Sequence, residues 1–281
     1  MNEELKQFIP NVRFELIPIK NLVSNQDYQR NLSMQHVKKA VEDFDVHQIN
    51  PVKVSRREGI NYVFNGQHTA EIIAMISGSR DTPVWCMVYD DLEYVEEADI
   101  FANQMKNVKA LQPIEIFKAN CEAGNERELM IKALVESYGL KINGGALPGT
   151  IAAVGTLEKI YDKYGYEILN RTISLIVMTW EGENKSFSSN ILNGVTRLIV
   201  AYGDKLKDEL FKEKVGGISI KELCRTAKER RAGSLGYAEA MLLAYNKRNK
   251  CPLIWQTLYS GNGKVMSFEM KNEIKADTAD G

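Results

Sequence analysis

Residues 66–69 combine side-chain types that can hold an anion. Gly66 permits a sharp turn or close approach of backbone to a ligand, His68 changes charge near physiological pH, and Thr69 offers a hydroxyl. An apolar run at 62–64 precedes this tetrad and a helical pattern of apolar residues follows it, so the sequence predicts strand, turn and helix. Because the first N–H groups of a helix lack intrahelical partners, the turn is a predicted phosphate site.

His68 also suits a proton acceptor in catalysis, with Glu71 one helical turn further on as a carboxylate that positions a metal ion. The alternative is structural: His68 hydrogen-bonds a neighbouring backbone group and holds the turn. The other two histidines, His36 and His47, do not form a metal-ligand set with His68 by their spacing.

Other predicted elements surround the turn. Upstream lie an apolar stretch, a polar segment, a helix with apolar residues at helical spacing, and a strand: 14–19, 25–30, 34–44 and 49–59. Downstream lie a further strand and two helices: 83–90, 93–107 and 111–119. The acidic block within 90–99 is interpreted as the solvated face of a helix.

The order of these segments resembles the N-terminal domain of the ParB/sulfiredoxin superfamily over about residues 12–118. The ParB motifs N-P-x-Q-P-R, Q-P-I-x-V, G-E-R-R-x-x-A, I-P-x-x-V, E-N-x-x-R and L-N-P-I-E occur there in this order. The matching segments here are NQDYQR (25–30), INPVKV (49–54), GQHTA (66–70), TPVWCMV (82–88), NQMK (103–106) and LQPIE (111–115).

The resemblance implies a nucleotide site and its residues. These are Gln29, Arg30, Asn65, Gly66, Gln67, His68, Thr69, Asn103 and Lys106. It further implies a nucleoside triphosphate, CTP or ATP, as cofactor, with Mg²⁺ held partly by Asn103.

The sequence departs from ParB at several of these positions. His68 and Thr69 replace the two box arginines, Ala102 replaces the acidic residue of E-N-x-x-R, and Lys106 replaces its arginine. The G-Q-H variant resembles the D-G-Q-H-R subgroup of ParB-like proteins common in phages and mobile elements. Sulfiredoxins carry a reactive cysteine where this chain has Gln67, which disfavours a sulfinic-acid reductase.

Composition restricts the class of protein. The chain has 281 residues, 44% of them hydrophobic, and a formal net charge of −1. No apolar run approaches the roughly 20 residues of a membrane span, and the N-terminus lacks the layout of a signal peptide, so a cytoplasmic location without membrane partners is predicted. The four cysteines are widely separated and mostly within apolar patterns, which predicts reduced, packed thiols.

The region after residue 118 reads as a series of helices, without an evident helix-turn-helix pattern. One of these helices carries a cluster of basic residues that predicts contact with DNA phosphates. Its members are Lys221, Arg225, Lys228, Arg230 and Arg231. The alternative is an ordinary solvated helix, since Glu222 and Glu229 are interleaved with them.

We therefore expect an α+β protein: a ParB/sulfiredoxin-like N-terminal domain at 1–110, an all-helical C-terminal domain at 111–268 and a disordered tail at 269–281. The leading functional hypothesis is a ParB-like nucleotide- and DNA-binding protein of a phage or mobile element, which is a possible homodimer. The alternatives are a ParB-like nuclease or phosphotransferase that uses the same pocket, and a catalytically dead protein-binding module.

Overall fold

The structure is a computed structural model that describes residues 9–24, 28, 31–90, 92–104, 106, 109–145 and 147–260. The chain separates into two compact units, Met1–Ala110 and Leu111–Gly281. Unit 1 is built around a sheet with helices, and unit 2 is predominantly helical. The predicted class, an α+β part followed by a helical part, is confirmed. The predicted tail lies outside the described residues.

Unit 1 contains the strands and helices that carry the Gly66 turn. The strands are β1 (Val12–Pro18), β2 (Leu22–Ser24), β3 (Val52–Arg57), β4 (Ile60–Asn65) and β5 (Pro83–Tyr89). The helices are α1 (Met34–Glu42), α2 (Gln67–Ser77) and α3 (Tyr94–Asn103), with short 3-10 turns at Ile19–Asn21 and Val46–Gln48.

The five strands form one mixed sheet in the order β1-β5-β3-β4-β2. Strand β1 runs antiparallel to β5, β3 runs parallel to β5 and antiparallel to β4, and β2 runs parallel to β4. Alternate residues of the central strands face α2 and form the core of the unit, which includes Val52, Val54, Val63, Ala70 and Ala74. The position of the Gly66 turn is therefore determined by a packed interface between sheet and helix.

Unit 2 consists of helices around a larger core. The helices are α4 (Pro113–Glu122), α5 (Glu126–Ser137), α6 (Val154–Trp180), α7 (Ser189–Tyr202), α8 (Asp208–Val215), α9 (Ile220–Arg230), α10 (Ser234–Asn246) and α11 (Trp255–Ser260). A 3-10 turn lies at Gly203–Lys205, and the short strands β6 (Lys141–Ile142) and β7 (Thr150–Ile151) pair in parallel.

Two features of unit 2 follow from its sequence pattern. Helix α6 is interrupted at Gly165, where φ is 81° and ψ is 177°, so the two apolar patterns on either side form two helical segments that meet at a kink. Helix α10 is buried on nearly all sides and lies at the centre of the unit, because its apolar and small residues leave no wide polar face.

The structure corrects one prediction about the cysteines. All four are free thiols, and burial raises the pKa of the Cys86 thiol to about 11, as expected for a packed cysteine. Cys251, however, is exposed, because it lies in the loop that follows α10. Among the described residues, no helix combines the length and the apolar character that crossing a lipid bilayer requires.

Candidate functional site

The Gly66 turn has the predicted geometry. Strand β4 ends at Asn65, helix α2 begins at Gln67, and Gly66 between them has φ 97° and ψ 15°. Its carbonyl accepts the first helical hydrogen bond, from the N–H of Ala70 at 3.0 Å. A Cβ atom at position 66 would lie 3.1 Å from the Cα of Val52. Glycine is therefore required twice, for its positive φ and for the close approach of β3.

A second helix N-terminus meets this turn. Ser33 caps α1, its hydroxyl accepting from the N–H of His36 at 3.3 Å. The N–H of Ser33 donates to Nε2 of His68 at 3.1 Å, and the rings of His36 and His68 stack edge to face at 5.5 Å between centroids. The positively polarised ends of α1 and α2 therefore converge on one half-buried side chain, which favours a bound anion there.

The contact with Ser33 gives His68 a structural role, which was the alternative raised from the sequence. Because Nε2 accepts a hydrogen bond, the proton of the neutral imidazole is assigned to Nδ1. Nε2 would have to release Ser33 before it accepted a proton from a substrate. The arrangement suits a side chain that joins the two helix ends more directly than it suits a general base.

Gln104, within the segment 103–106, lies beside the same turn. Nδ2 of Asn65, the last residue of β4, donates to Oε1 of Gln104 at 2.5 Å, and Gln104 follows directly after α3. The side chain of Asn103 is turned back on its own helix, its Nδ2 donating to the carbonyl of Asp99 at 3.0 Å and to its carboxylate at 2.9 Å. Lys106 is exposed, and its N–H donates to the Asn103 carbonyl at 2.9 Å.

Glu71, which was predicted to position a metal ion, and Glu115, the acidic residue of the LQPIE segment, both have other partners. Oε2 of Glu71 pairs with Arg80 at 2.9 Å. Glu115 accepts from the N–H of Gln112 at 2.6 Å and caps α4. No cluster of three histidine, cysteine or acidic side chains suited to a metal exists within the described ranges. The described donor set therefore does not fit a protein-built Mg²⁺ site.

A small cavity adjoins the first turn of α2. It has a volume of about 180 Å³ and polar lining from Ser24, Gln67, Glu71 and Arg80. Ligand pockets usually measure about 300–1,000 Å³. A nucleotide held at the Gly66 turn would therefore keep much of its surface outside this cavity.

The acidic block is solvated as predicted at Asp90, Glu93, Glu96 and Asp99, which are exposed, but Glu97 departs from that prediction. Glu97 on α3 is fully buried, and its carboxylate lies 3.1 Å from Nε of Arg57. The other carboxylate oxygen accepts from the hydroxyl of Tyr28 at 3.1 Å. Arg57 also lies over the ring of Tyr62, 4.4 Å from its centroid. Burial of a carboxylate requires such partners, and α3 supplies this one on its inward side.

Glu97 ties Tyr28 to the sheet, because its carboxylate contacts both the Tyr28 hydroxyl and Arg57 of β3. Gln29 and Arg30, assigned to the nucleotide by resemblance, lie outside the described residues. Glu97 was missed because a glutamate among acidic neighbours reads as solvated. The signal available was its spacing with Tyr94 and Phe101, at i, i+3 and i+7 on α3, where the two aromatic rings both pack against Tyr28.

The five basic residues predicted to contact DNA divide into two groups. Lys221, Arg225 and Lys228 are exposed on α9 at i, i+4 and i+7 spacing, so they share one side of the helix. The opposite side buries its apolar residues in the core. These three side chains form a compact cationic stripe that can contact phosphates.

Arg230 and Arg231 instead bind a buried carboxylate. Their Nε atoms lie 3.3 Å and 3.6 Å from the carboxylate oxygens of Glu239, which is 4% exposed on α10. The hydroxyl of Tyr259 donates to the same group at 2.9 Å, and Arg230 also lies over the ring of Trp255. Arg230 is therefore part of the packing between α9 and α10. The alternating charges of the sequence did not predict this role.

Comparison with known proteins gives weak structural similarities. The C-terminally truncated chromosome-partitioning protein ParB from Caulobacter crescentus, in complex with CTP-γ-S, is 16% identical with a TM-score of 0.34, over 82% of this chain and 99% of that chain. The same protein bound to the centromeric parS site is 14% identical with a TM-score of 0.24, over 82% and 98%.

No curated protein matches this chain. The model of DUF6551, a family of unknown function, matches residues 23–253. The match includes most of the sheet of unit 1 and most of the helices of unit 2. The chain therefore belongs to the DUF6551 family.

Proposed function

We propose that this chain is a ParB-like nucleotide- and DNA-binding protein of the phage or mobile-element type, in which unit 1 binds the phosphates of a nucleoside triphosphate at the Gly66 turn. The observation that carries the proposal is the hydrogen bond from Asn65 to Gln104. It holds Asn65, directly before the segment 66–70, against Gln104 of the segment 103–106. The resemblance assigns both segments to one ligand, although residues 71–102 lie between them in the chain.

The electrostatics of the turn support an anionic ligand. The N-termini of α1 and α2 meet at His68, and Lys106 adds an exposed ammonium in the segment beside the turn. Backbone N–H groups and helix ends bind phosphate without arginine. The absence of both box arginines therefore weakens charge pairing but leaves the backbone contacts in place.

The role of the protein in this proposal is binding, and no metal-dependent step is included. When bound, the nucleotide would supply phosphate oxygens that hold Mg²⁺ together with water. The competing enzymatic hypothesis needs a base and a metal-binding carboxylate. His68 accepts from Ser33, and Glu71 pairs with Arg80, which favours binding over nuclease or phosphotransferase chemistry.

Unit 2 supplies the proposed DNA contact through Lys221, Arg225 and Lys228. Three cations on one side of a helix match a run of backbone phosphates, and a phosphate contact carries no sequence information. The proposed interaction is therefore salt-dependent and weakly selective for sequence.

The experiment is calorimetry and thermal shift of the full chain with CTP, ATP, GTP and their diphosphates, with and without Mg²⁺ and duplex DNA. A ligand that binds the native state raises the free energy of unfolding by about 2.7 kcal/mol at a hundredfold excess over Kd, and the melting temperature rises with it. We expect a shift with at least one triphosphate, and a loss of about tenfold or more in affinity for Lys106→Ala, which removes a charge-assisted contact.

His47→Ala serves as the control, because His47 is an exposed histidine in the turn before β3. It should bind nucleotide as the wild type does. If no nucleotide shifts the melting temperature, unit 1 is a scaffold and the third hypothesis, a protein-binding module, takes its place. If binding survives both His68→Ala and Lys106→Ala, the ligand lies elsewhere.

A further inference from the structure

Strand β1 leaves an unpaired edge of the sheet. It is the first strand in the order β1-β5-β3-β4-β2, and no strand among the described residues pairs with its outer side. The N–H of Ile19 donates to the carbonyl of Thr82 at 3.1 Å, in the register that pairs β1 with β5. Backbone groups of an antiparallel strand alternate in direction. The backbone N–H and C=O groups of Arg13, Glu15 and Ile17 therefore bond to β5. The backbone groups of the residues between them point away from the sheet.

The outward backbone groups belong to Val12, Phe14 and Leu16. Pro18, next in this alternation, has no N–H to offer on the outer side, as is usual for an edge strand. Proteins normally protect such an edge with charges, bulges or a covering segment. Two of these residues also have exposed apolar side chains: Phe14 is 58% exposed and Leu16 is 53% exposed. Trp85, which lies beside Leu16 on β5, is 56% exposed.

The sequence of this edge is complementary to itself. In an antiparallel pair of two β1 strands related by a two-fold axis through Phe14, Val12 faces Leu16 and Phe14 faces its own copy. Arg13 then faces Glu15 of the second copy, in the closely spaced non-hydrogen-bonded position. A two-fold axis through residue 15 would instead oppose two glutamates, and one through residue 13 would oppose two arginines.

We propose that the occupant of this edge is a second copy of the chain, and that the two sheets join through β1 in the register centred on Phe14. The charge pattern selects the register, because only this one of the three places opposite charges together. Within one chain Arg13 pairs with Asp90 at 2.6 Å and Glu15 pairs with Arg56 at 2.7 Å. Arg13 is 57% exposed and Glu15 32% exposed, so the contact across the axis would add to these two ion pairs. The apolar side chains of Val12, Phe14 and Leu16 then form one continuous row across the junction.

A disulfide at the two-fold axis tests the register. Directly opposed residues in a hydrogen-bonded antiparallel pair have Cα atoms about 5.5 Å apart, within the range of about 4.4–6.8 Å that a disulfide spans. Phe14→Cys, in a Cys251→Ser background that removes the exposed native thiol, should cross-link two chains on mild oxidation. Leu16→Cys is the control, because position 16 lies about 14 Å from its own copy at about 3.4 Å per residue.

We expect the Phe14→Cys chain to form at least about ten times more disulfide dimer than the Leu16→Cys chain, given these distances. Light scattering of the unmodified chain should give the mass of a dimer, and circular dichroism should show that both variants fold. Equal cross-linking of the two variants, or a monomeric mass at every concentration together with no cross-link at position 14, would overturn the proposal.

A charge exchange provides an independent measurement. The Arg13→Glu chain and the Glu15→Lys chain each oppose like charges across the axis, so each should dimerise more weakly than the wild type. In a mixture of the two, the carboxylate introduced at position 13 of one chain faces the ammonium introduced at position 15 of the other. The native Glu15 of the first chain then faces the native Arg13 of the second. Recovery of a heterodimer in the mixture supports β1 pairing. A dimer that neither variant weakens, or a mixture that stays monomeric, excludes it.

Discussion

At the scale of single residues, Gly66 is constrained more strongly than an ordinary turn glycine. Both Gly66 and Gly78, at the two ends of α2, have positive φ, at 97° and 68°. A Cβ atom at position 66 would meet the backbone of Val52, whereas one at position 78 would meet nothing within 4 Å. A comparison of alanine substitutions at the two positions therefore separates the cost of backbone strain from the cost of a steric clash.

We predict that Gly66→Ala lowers stability by about 2–4 kcal/mol, from backbone strain together with the forced shift of β3. Gly78→Ala should cost about 1 kcal/mol, from strain alone. Urea unfolding followed by circular dichroism measures both. Equal losses would mean that β3 moves aside freely and that the close approach has no structural importance.

The ion pair of Glu15 and Arg56 predicts a pH dependence. Two hydrogen bonds of 2.7 Å and 3.2 Å from Arg56 hold the pKa of Glu15 below its ordinary value. The folded state therefore prefers the ionised carboxylate, so this stabilisation is fully present above the unfolded pKa of about 4.3. It is lost as the pH falls through the lower pKa of the folded state.

We expect a double-mutant cycle of Glu15→Gln and Arg56→Met to give a coupling energy of at most about 1 kcal/mol at pH 7, since both side chains are partly exposed. The coupling should shrink towards zero when the same unfolding experiment is done below the folded-state pKa. A coupling that persists there would show that packing, rather than charge, joins the two side chains.

At the scale of elements, α9 carries two kinds of basic residue with opposite expected behaviour. Replacement of Lys221, Arg225 and Lys228 by glutamine should leave the melting temperature nearly unchanged, because these side chains are exposed. DNA affinity should fall, and the slope of log K against log salt should decrease by about 0.9 for each phosphate contact removed. Fluorescence anisotropy at several salt concentrations measures this.

Arg230→Ala is the matched variant on the same helix. It withdraws a partner from buried Glu239, so we expect it to lower stability by about 1–3 kcal/mol, reduced by the remaining contacts of Arg231 and Tyr259. Its DNA affinity at low temperature should resemble that of the wild type. If the triple variant binds DNA normally, the stripe is a solvated face and the DNA hypothesis loses its support.

At the scale of the whole molecule, each unit has a core of its own. The core of unit 1 draws on residues between Ile17 and Val88, and that of unit 2 on residues between Phe117 and Leu258. We propose the boundary at residues 110 and 111 and predict that the fragment 111–268 folds alone. It should show helical circular dichroism and a cooperative thermal transition.

The fragment 1–110 is the companion measurement. The separate core predicts that it folds as well, and the proposed β1 pairing predicts that it dimerises without unit 2. A fragment 111–268 that aggregates or melts without cooperativity would show that the two units depend on each other for stability. A folded but monomeric fragment 1–110 would count against the edge pairing alone.

The sequence by itself determined the elements and their order. Apolar periodicity, the glycine at a strand-to-helix turn and the order of six short segments are local signals, and they predicted the Gly66 turn, the sheet and helix character of unit 1 and the helical character of unit 2. Only the tertiary structure decided the partners of polar side chains. Whether Glu97 is buried or His68 accepts from Ser33 depends on groups far away in the chain, and the pairing of Arg230 with Glu239 depends on how α9 packs against α10. Such contacts depend on tertiary packing, because packing determines which charges lose their water.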